Sequence, residues 1–202
     1  MTSAAAAAGP APFRATAATR TGATRTGATR TGAETTGRYA VLGLGNLIQG
    51  DDALGGHVVA RLLERPELLT ALPFPDAVEL IDGGTVGLGL IPYLVGLDGL
   101  IVVDIIDAGA EPGTVVDLDG ASVLAHEPVM GVHDLGAEEL LGALLFMDAL
   151  PRRVRIVGIQ PAAITLGTEL SPEVGTAAPG LIDAVVGYLA DWQAEDGAIA
   201  GA

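Results

Sequence analysis

The sequence contains no cysteine and no lysine, and only 3% of its 202 residues are aromatic. Without cysteine there is no disulfide framework, no thiolate metal site and no cysteine nucleophile. Without lysine, a phosphate-binding loop of the Walker type is excluded. Because aromatic residues are scarce, aliphatic side chains and alanine must build the core, and a hydrophobic content of 50% is sufficient for one domain.

Positive charge is also scarce, with 10 arginines against 25 acidic residues and a net charge of −15. Such a chain repels phosphates, which argues against nucleic acid or an anionic membrane as a partner. The longest apolar region, residues 90–106, is interrupted by Asp98 and Asp104 and is no membrane span. The N-terminus lacks the basic and apolar regions of a secretory signal. We therefore expect a cytoplasmic protein without membrane insertion, acting as a monomer.

The first 38 residues differ in composition from the rest of the chain. Three tandem copies of Thr-Arg-Thr-Gly-Ala run from Thr19 to Ala33, and the segment holds five arginines and one acid. It has little to bury and is expected to be disordered. Subtracting it leaves 5 arginines and 24 acids, a charge of −19. We predict a tail over 1–38, a folded domain over 39–192 and a flexible C-terminus over 193–202.

Strand-like and helix-like segments alternate after residue 38. Alternation of this kind predicts an α/β fold, with a mostly parallel sheet covered by helices on both faces. One segment, 85–96, is ambiguous because of its glycines and proline, and Pro179 is expected near the start of the last helix. The predicted strands are 39–45, 77–82, 99–106, 113–118 and 153–160, and the predicted helices are 51–65, 134–147 and 171–192.

Polar side chains follow the ends of the predicted strands. Strand one leads through a glycine turn to Asp51 and Asp52, strand two ends at Asp82, strand three ends at Asp104, and His133 lies in a later loop. In parallel sheets the carboxyl ends of the strands meet at one edge, where ligands bind. Carboxylate and imidazole without sulfur suit a divalent ion such as nickel, zinc or cobalt.

Structural roles remain open for each carboxylate. Asp51 and Asp52 at a helix start can simply complement the helix dipole. Asp104 lies within an apolar run, where an unpaired buried carboxylate is costly. A position at a strand end facing a cleft explains it, and capping of the next turn is the alternative.

The histidines and two glycine motifs also have other interpretations. His133 can be a surface loop residue, whereas His57 and His126 are expected to be solvated or locally hydrogen-bonded. The Asp-Gly-Gly-Thr stretch, 82–85, can be only a tight turn. The stretch after strand one begins like a dinucleotide fingerprint, but Ile48 replaces its third glycine. A nucleotide-binding α/β enzyme therefore stays a weak alternative.

Seven stretches, in this order, resemble the [NiFe]-hydrogenase maturation endopeptidases over about residues 39–192. They are GLGNLIQGDDALGGHVV, VELIDGGTVGLGLI, LIVVDIIDAG, PGTV, VHDLG, VRIVGIQP and LSPEV. The resemblance implies a three-layer sandwich with a twisted sheet of about five strands. It also implies an endopeptidase that removes the C-terminal extension of the hydrogenase large-subunit precursor after nickel insertion.

The resemblance also implies roles for particular residues. The family's three metal ligands fall on Asp52, Asp104 and His133, and Asp82 falls on a position linked to substrate recognition and cleavage. Many members have glutamate at the position of Asp52. Because aspartate is one methylene shorter, the metal would sit closer to the helix start or bind through water.

Two interpretations of the metal are open: it belongs to the substrate, or it is resident in the enzyme. The resemblance implies that the metal is nickel already seated in the substrate, with Asp52 as a general base for water. Alternatively, a resident metal polarises the scissile carbonyl. A non-catalytic chaperone that senses nickel in the same large subunit is the second functional candidate.

Overall fold

Five strands form a single sheet in the order β2-β1-β3-β5-β4. The structure, a computed structural model, describes residues 37–125 and 136–200. All neighbouring strands are parallel except β4, which runs antiparallel to β5 at one edge. The strands are Tyr39–Leu44 (β1), Val78–Gly84 (β2), Gly99–Ile105 (β3), Val115–Asp119 (β4) and Arg153–Ile159 (β5).

Helices cover both faces of the sheet. Helices α1 (Leu54–Glu64) and α5 (Pro172–Ala200) pack on one face, and α2 (Ile91–Leu94), α3 (Gly120–Ala125) and α4 (Gly136–Phe146) pack on the other. The central strands β1 and β3 are buried throughout, as expected for parallel strands covered on both sides. The predicted three-layer α/β architecture, with five mostly parallel strands, is confirmed.

Side chains of each central strand alternate between two hydrophobic clusters. In β1, Tyr39 and Val41 join the cluster of α1 and α5, whereas Ala40 and Leu42 join the cluster of α2 and α4. Successive side chains point to opposite faces of the sheet, and neither face meets water. The strand sequence is therefore a continuous apolar run.

Several local predictions need correction. The ambiguous segment folds as a 3₁₀ turn, Gly87–Leu90, followed by the short α2, and α3 was not predicted. Pro179 lies inside α5, not near its start, and the first-turn proline is Pro172. The Ser171 hydroxyl oxygen accepts a hydrogen bond from the Val174 amide at 3.4 Å and caps that helix.

The C-terminal boundary at residue 192 was placed too early. Helix α5 continues to Ala200, and its Gln193 is fully buried. The Gln193 amide donates to the Phe74 carbonyl at 2.9 Å and accepts from the Phe74 amide at 2.8 Å. Asp196 accepts hydrogen bonds from the Tyr39 hydroxyl and from Arg153. These contacts hold residues 193–196 against the domain.

Arg38, directly before β1, makes contacts with the domain. The Arg38 amide donates to Asp98 at 2.8 Å, and its guanidinium pairs with Glu79 at 2.7 Å. Arg38 therefore belongs to the folded domain, and residues 1–36 lie outside the described part of the chain. Within the described ranges, none of the helices combines the length and the apolarity that crossing a bilayer requires.

Candidate active site

A cleft of about 780 Å³ opens at the carboxyl edge of the parallel strands. The ends of β1, β2 and β3 contribute to it, together with the start of α4 and the loop after β5. Four carboxylates and no arginine occur among the described residues that line it: Asp52, Asp104, Asp107 and Glu139. The cleft is therefore electronegative and suits a cationic group.

The glycine turn after β1 fixes the position of Asp52. Gly45 has a φ of 114°, and a Cβ atom there would overlap the Asp52 carbonyl oxygen. The Asn46 amide donates both to that oxygen at 3.1 Å and to the Asp52 carboxylate at 2.9 Å. Only glycine permits this close approach of the two segments, so the turn presents Asp52 to the cleft.

Two further glycines let α1 begin directly against the sheet. A Cβ at Gly43 would overlap the Gly55 carbonyl, and one at Gly55 would overlap backbone atoms of Leu44 and the Val103 carbonyl oxygen. Strand and helix backbones are thus in direct contact. This contact brings the start of α1 close to the end of β3, where Asp104 lies.

Asp104 is buried, with 5% of its surface exposed. Burial raises the pKa of its carboxyl group to about 7; a hydrogen bond from the Ile105 amide acts in the opposite direction, and the negative charge of Asp52 adds to the increase. Both carboxylates line the same cleft. A cation placed between them would favour the ionised form of both.

The third predicted ligand, His133, lies outside the described residues, as does His126. Among the residues that the structure describes, no group of three potential ligands is close enough to hold a metal ion. Gly136, three residues after His133, lines the cleft.

Asp82 lies on a different side of the sheet from Asp104. Register places Asp82 beside Gly43, and Gly43 beside Val103, so Asp82 is level with Val103 and Asp104 is the next residue along β3. The Asp82 side chain is exposed and points toward α1, where its Oδ1 lies 3.8 Å from the Cβ position of Gly56. It is not among the residues that line the cleft.

Asp51 anchors the loop after β5, residues 160–171. It is 1% exposed and accepts four hydrogen bonds. Three come from the amides of Ala162 (2.9 Å), Ala163 (3.3 Å) and Ser171 (2.6 Å), and the fourth comes from the Ser171 hydroxyl (2.9 Å). Asp51 therefore holds the loop in place through both of its carboxylate oxygens.

More contacts fix the same loop. The Gly50 amide donates to the Gly167 carbonyl at 2.9 Å, and the Gly167 amide donates to the Ile48 carbonyl at 3.0 Å. His57, expected to be solvated or locally bonded, is instead 2% exposed and contacts the Thr168 carbonyl through Nε2 at 3.3 Å. Because burial lowers its pKa, we assign a neutral ring that donates to this carbonyl.

Sequence reasoning missed Gln160, which organises the loop after β3. Its Oε1 accepts from the amides of Ala108 (2.8 Å) and Ala110 (3.1 Å), and its Nε2 donates to Asp107 at 3.1 Å. The hydrogen bond from Gln160 lowers the pKa of the Asp107 carboxyl group. The only signal in the sequence for this role is that Gln160 is a polar residue directly after a buried strand.

Comparisons with known proteins agree with the fold. A family model described as hydrogenase maturation protease matches residues 61–188. The hydrogenase expression/formation protein HupD of Rhizobium leguminosarum bv. viciae is 35% identical over 158 residues, covering 77% of this chain and 75% of the relative. The hydrogenase 2 maturation protease of Escherichia coli K12 is 34% identical over 139 residues, covering 68% and 81%.

A solved structure extends the likeness to three dimensions. The hydrogenase maturating endopeptidase HybD from E. coli superposes with a TM-score of 0.65 and 32% identity, covering 75% of this chain and 91% of HybD. Fold and relatives together define a peptide-bond hydrolase of the α/β class. The chain belongs to the hydrogenase maturation protease family, and the predicted family is confirmed.

Proposed function

We propose that this protease removes the C-terminal extension of the [NiFe]-hydrogenase large-subunit precursor after nickel has been inserted. The observation that carries the proposal is that Asp52 and the buried Asp104 line one electronegative cleft. The names of two relatives, a hydrogenase expression/formation protein and a hydrogenase 2 maturation protease, support the choice of substrate.

In this proposal the metal arrives with the substrate. Asp52, Asp104 and His133 provide carboxylate and imidazole ligands, which suit nickel. A metal-free precursor leaves Asp52 and Asp104 unneutralised, and closing a cleft around two like charges is unfavourable. The cleft thereby distinguishes the loaded precursor from the metal-free one by charge.

Hydrolysis needs a base for the attacking water. We assign this role to the Asp52 carboxylate, which takes a proton as water adds to the scissile carbonyl. That proton then passes to the departing amine, so the two products carry a new carboxyl group and a new amino terminus. Asp82, exposed at the same edge but toward α1, is proposed to contact the incoming peptide.

The test presents nickel-loaded and metal-free precursor to chelator-treated enzyme and follows the mass of the large subunit. We expect cleavage of the loaded form alone, with no requirement for added metal. Cleavage of the metal-free form would contradict metal sensing. Activity that returns only with added zinc would indicate a resident catalytic ion, and binding without any mass loss would favour the chaperone alternative.

A further inference from the structure

The proposed base, Asp52, lies on a short 3₁₀ turn, Gly50–Ala53. Such turns have poorer hydrogen-bond geometry than an α-helix, so contacts from outside the turn matter for its geometry. On the side of β1, the Asn46 amide donates to the Asp52 carboxylate at 2.9 Å and to the Asp52 carbonyl at 3.1 Å. The contacts on the other side of the turn complete its hold on the Asp52 side chain.

Asp51 makes those contacts through both of its carboxylate oxygens. Its Oδ1 accepts from the Ser171 amide at 2.6 Å, whereas its Oδ2 accepts from the Ala162 amide and the Ser171 hydroxyl, each at 2.9 Å. Rotation of the carboxylate would break bonds at both oxygens, and water cannot readily replace them around a side chain that is 1% exposed. The Asp51 side chain is therefore held in one orientation.

Ser171 connects this carboxylate to a helix. It directly precedes α5, and its hydroxyl oxygen also accepts from the Val174 amide at 3.4 Å. The first turn of α5 packs into the core through Val174, which is fully buried. Asp51 is thus fixed relative to α5 as well as to the loop before it.

Asp51 and Asp52 are consecutive residues, so the position of one restricts the other. A planar trans peptide joins them, and their Cα atoms are about 3.8 Å apart. Once the Asp51 side chain is fixed, few backbone torsions remain between it and the carboxylate of Asp52, which lines the cleft. The contacts of Asp51 therefore also limit where the Asp52 carboxylate lies.

We propose that Asp51 and Ser171 are positioning residues for the reaction, which aim the Asp52 carboxylate at the attacking water. This inference rests on the proposed function, in which Asp52 is the base. A general base acts only within hydrogen-bond distance of the proton that it takes. A small displacement of Asp52 therefore slows the chemical step without removing any contact with the substrate.

A role confined to holding the loop predicts a different result. Pro161 and Ile164 line the cleft from the loop that Asp51 holds. If Asp51 did no more than hold this loop, loosening it would move one wall of the cleft and change the affinity for substrate. Positioning of the base instead predicts a lower kcat at an unchanged KM.

The kinetic experiment compares Ser171→Ala with Ser171→Thr on nickel-loaded precursor. Alanine removes the hydroxyl bond to Asp51 and keeps the amide bond, whereas threonine supplies a hydroxyl again. We expect kcat to fall roughly tenfold in Ser171→Ala, with KM within about twofold, because misplacement of a reacting group is costly. Ser171→Thr should recover most of the wild-type kcat. Equal kcat values in the two variants, or an effect confined to KM, would overturn the proposal.

The Asn46 amide gives a second measurement that does not depend on activity. Because it donates to the carboxylate and the carbonyl of Asp52, its hydrogen exchange, followed by NMR, reports how firmly Asp52 is held. We expect this exchange to accelerate roughly fivefold in Ser171→Ala, the factor that one typical hydrogen bond corresponds to, and to return toward wild type in Ser171→Thr. Accelerated exchange at Ala162 with wild-type exchange at Asn46 would limit Asp51 to holding the loop and overturn the proposal.

Val174→Ala is the control for a general loss of stability. It truncates a buried side chain in the same turn of α5 and leaves the Ser171 hydroxyl and the Asp51 carboxylate in place. We expect a lower melting temperature for this variant, with wild-type values of kcat and of Asn46 exchange. Acceleration at Asn46 equal to that in Ser171→Ala would attribute the effect to unfolding and count against positioning.

A separate outcome concerns the proposed function alone. If wild type leaves nickel-loaded precursor intact, that function fails, and the exchange of the Asn46 amide then decides the coupling by itself. Acceleration in Ser171→Ala but not in Val174→Ala supports the coupling of Asp51 to Asp52. No acceleration in Ser171→Ala overturns it.

Discussion

At the scale of single residues, Asp104 is a buried carboxyl group with a raised pKa. It is 95% buried at the end of β3 and faces the charge of Asp52. We predict that Asp104→Asn nearly abolishes precursor processing, because an amide is a poor metal ligand of similar shape. The measurement is the mass of the precursor after incubation. Asp148→Asn, at an exposed position beyond α4, is the control and should process normally.

The raised pKa of Asp104 also predicts a dependence of stability on pH. The folded state keeps the proton up to about pH 7, whereas the unfolded chain releases it near pH 4. Between these values the folded state binds more protons, so the free energy of unfolding falls as pH rises. The upper limit of this loss is about 4 kcal/mol.

Denaturant titrations of metal-free wild type and Asp104→Asn at pH 5 and pH 8 measure this effect. The variant lacks the titrating group, so its stability relative to wild type should increase at pH 8. A difference between the two proteins that is the same at both pH values would show that Asp104 ionises normally.

The choice of His133 as the histidine ligand of the metal gives a further prediction about single residues. We predict that His133→Ala prevents processing, whereas His126→Ala does not, because only His133 is assigned to the metal. The measurement is again the precursor's change in mass. Loss of processing in His126→Ala alone would transfer the ligand to that position.

At the scale of elements, the loop after β5 depends on one carboxylate. Asp51→Asn replaces one of the two acceptor oxygens with an NH₂ group that cannot accept. Either the Ser171 amide or the amides of Ala162 and Ala163 then lose their acceptor. We predict a loss of about 2–4 kcal/mol in the free energy of unfolding. Amide exchange over residues 161–171 should also accelerate.

The control for this change is Asp191→Asn, which alters an exposed carboxylate on α5. It should leave both stability and exchange at wild-type values. Unchanged exchange of the loop in Asp51→Asn would mean that the backbone pairing of Gly50 and Gly167 is sufficient to hold it.

At the scale of the whole molecule, the N-terminal segment is predicted to be dispensable. Residues 1–36 carry four arginines, one glutamate and the threonine-rich repeats, with little to bury. Deleting them keeps Gly37 and Arg38, whose contacts with Asp98 and Glu79 begin the fold. We expect the melting temperature and the processing rate to stay nearly unchanged. A drop of several degrees on a thermal scan would show that the segment packs on the domain.

Some features follow from local sequence because their signals are local. The apolar runs at β1 and β3 and the 3.6-residue spacing in α1 predict strands and a helix without reference to the rest of the chain. The glycine turn at Gly45 and the carboxylates that follow the first three strands can also be predicted, since parallel strands bring their carboxyl ends to one edge. The position predicted for Pro179, near the start of the last helix, was wrong. Packing against the sheet keeps α5 helical although proline lacks one backbone hydrogen bond.

The sequence by itself therefore determined the α/β class and the family resemblance. It also determined which candidate residue follows which strand along the chain. Only the tertiary structure decided that Asp51 holds a loop 120 residues away, since hydrogen-bond partners so distant leave no periodic signal. It also decided that Asp104 is buried beside Asp52, because burial depends on how α1 packs through Gly43 and Gly55. Sheet alternation likewise turned Asp82 toward α1, since a side chain's face is set by register with its neighbours.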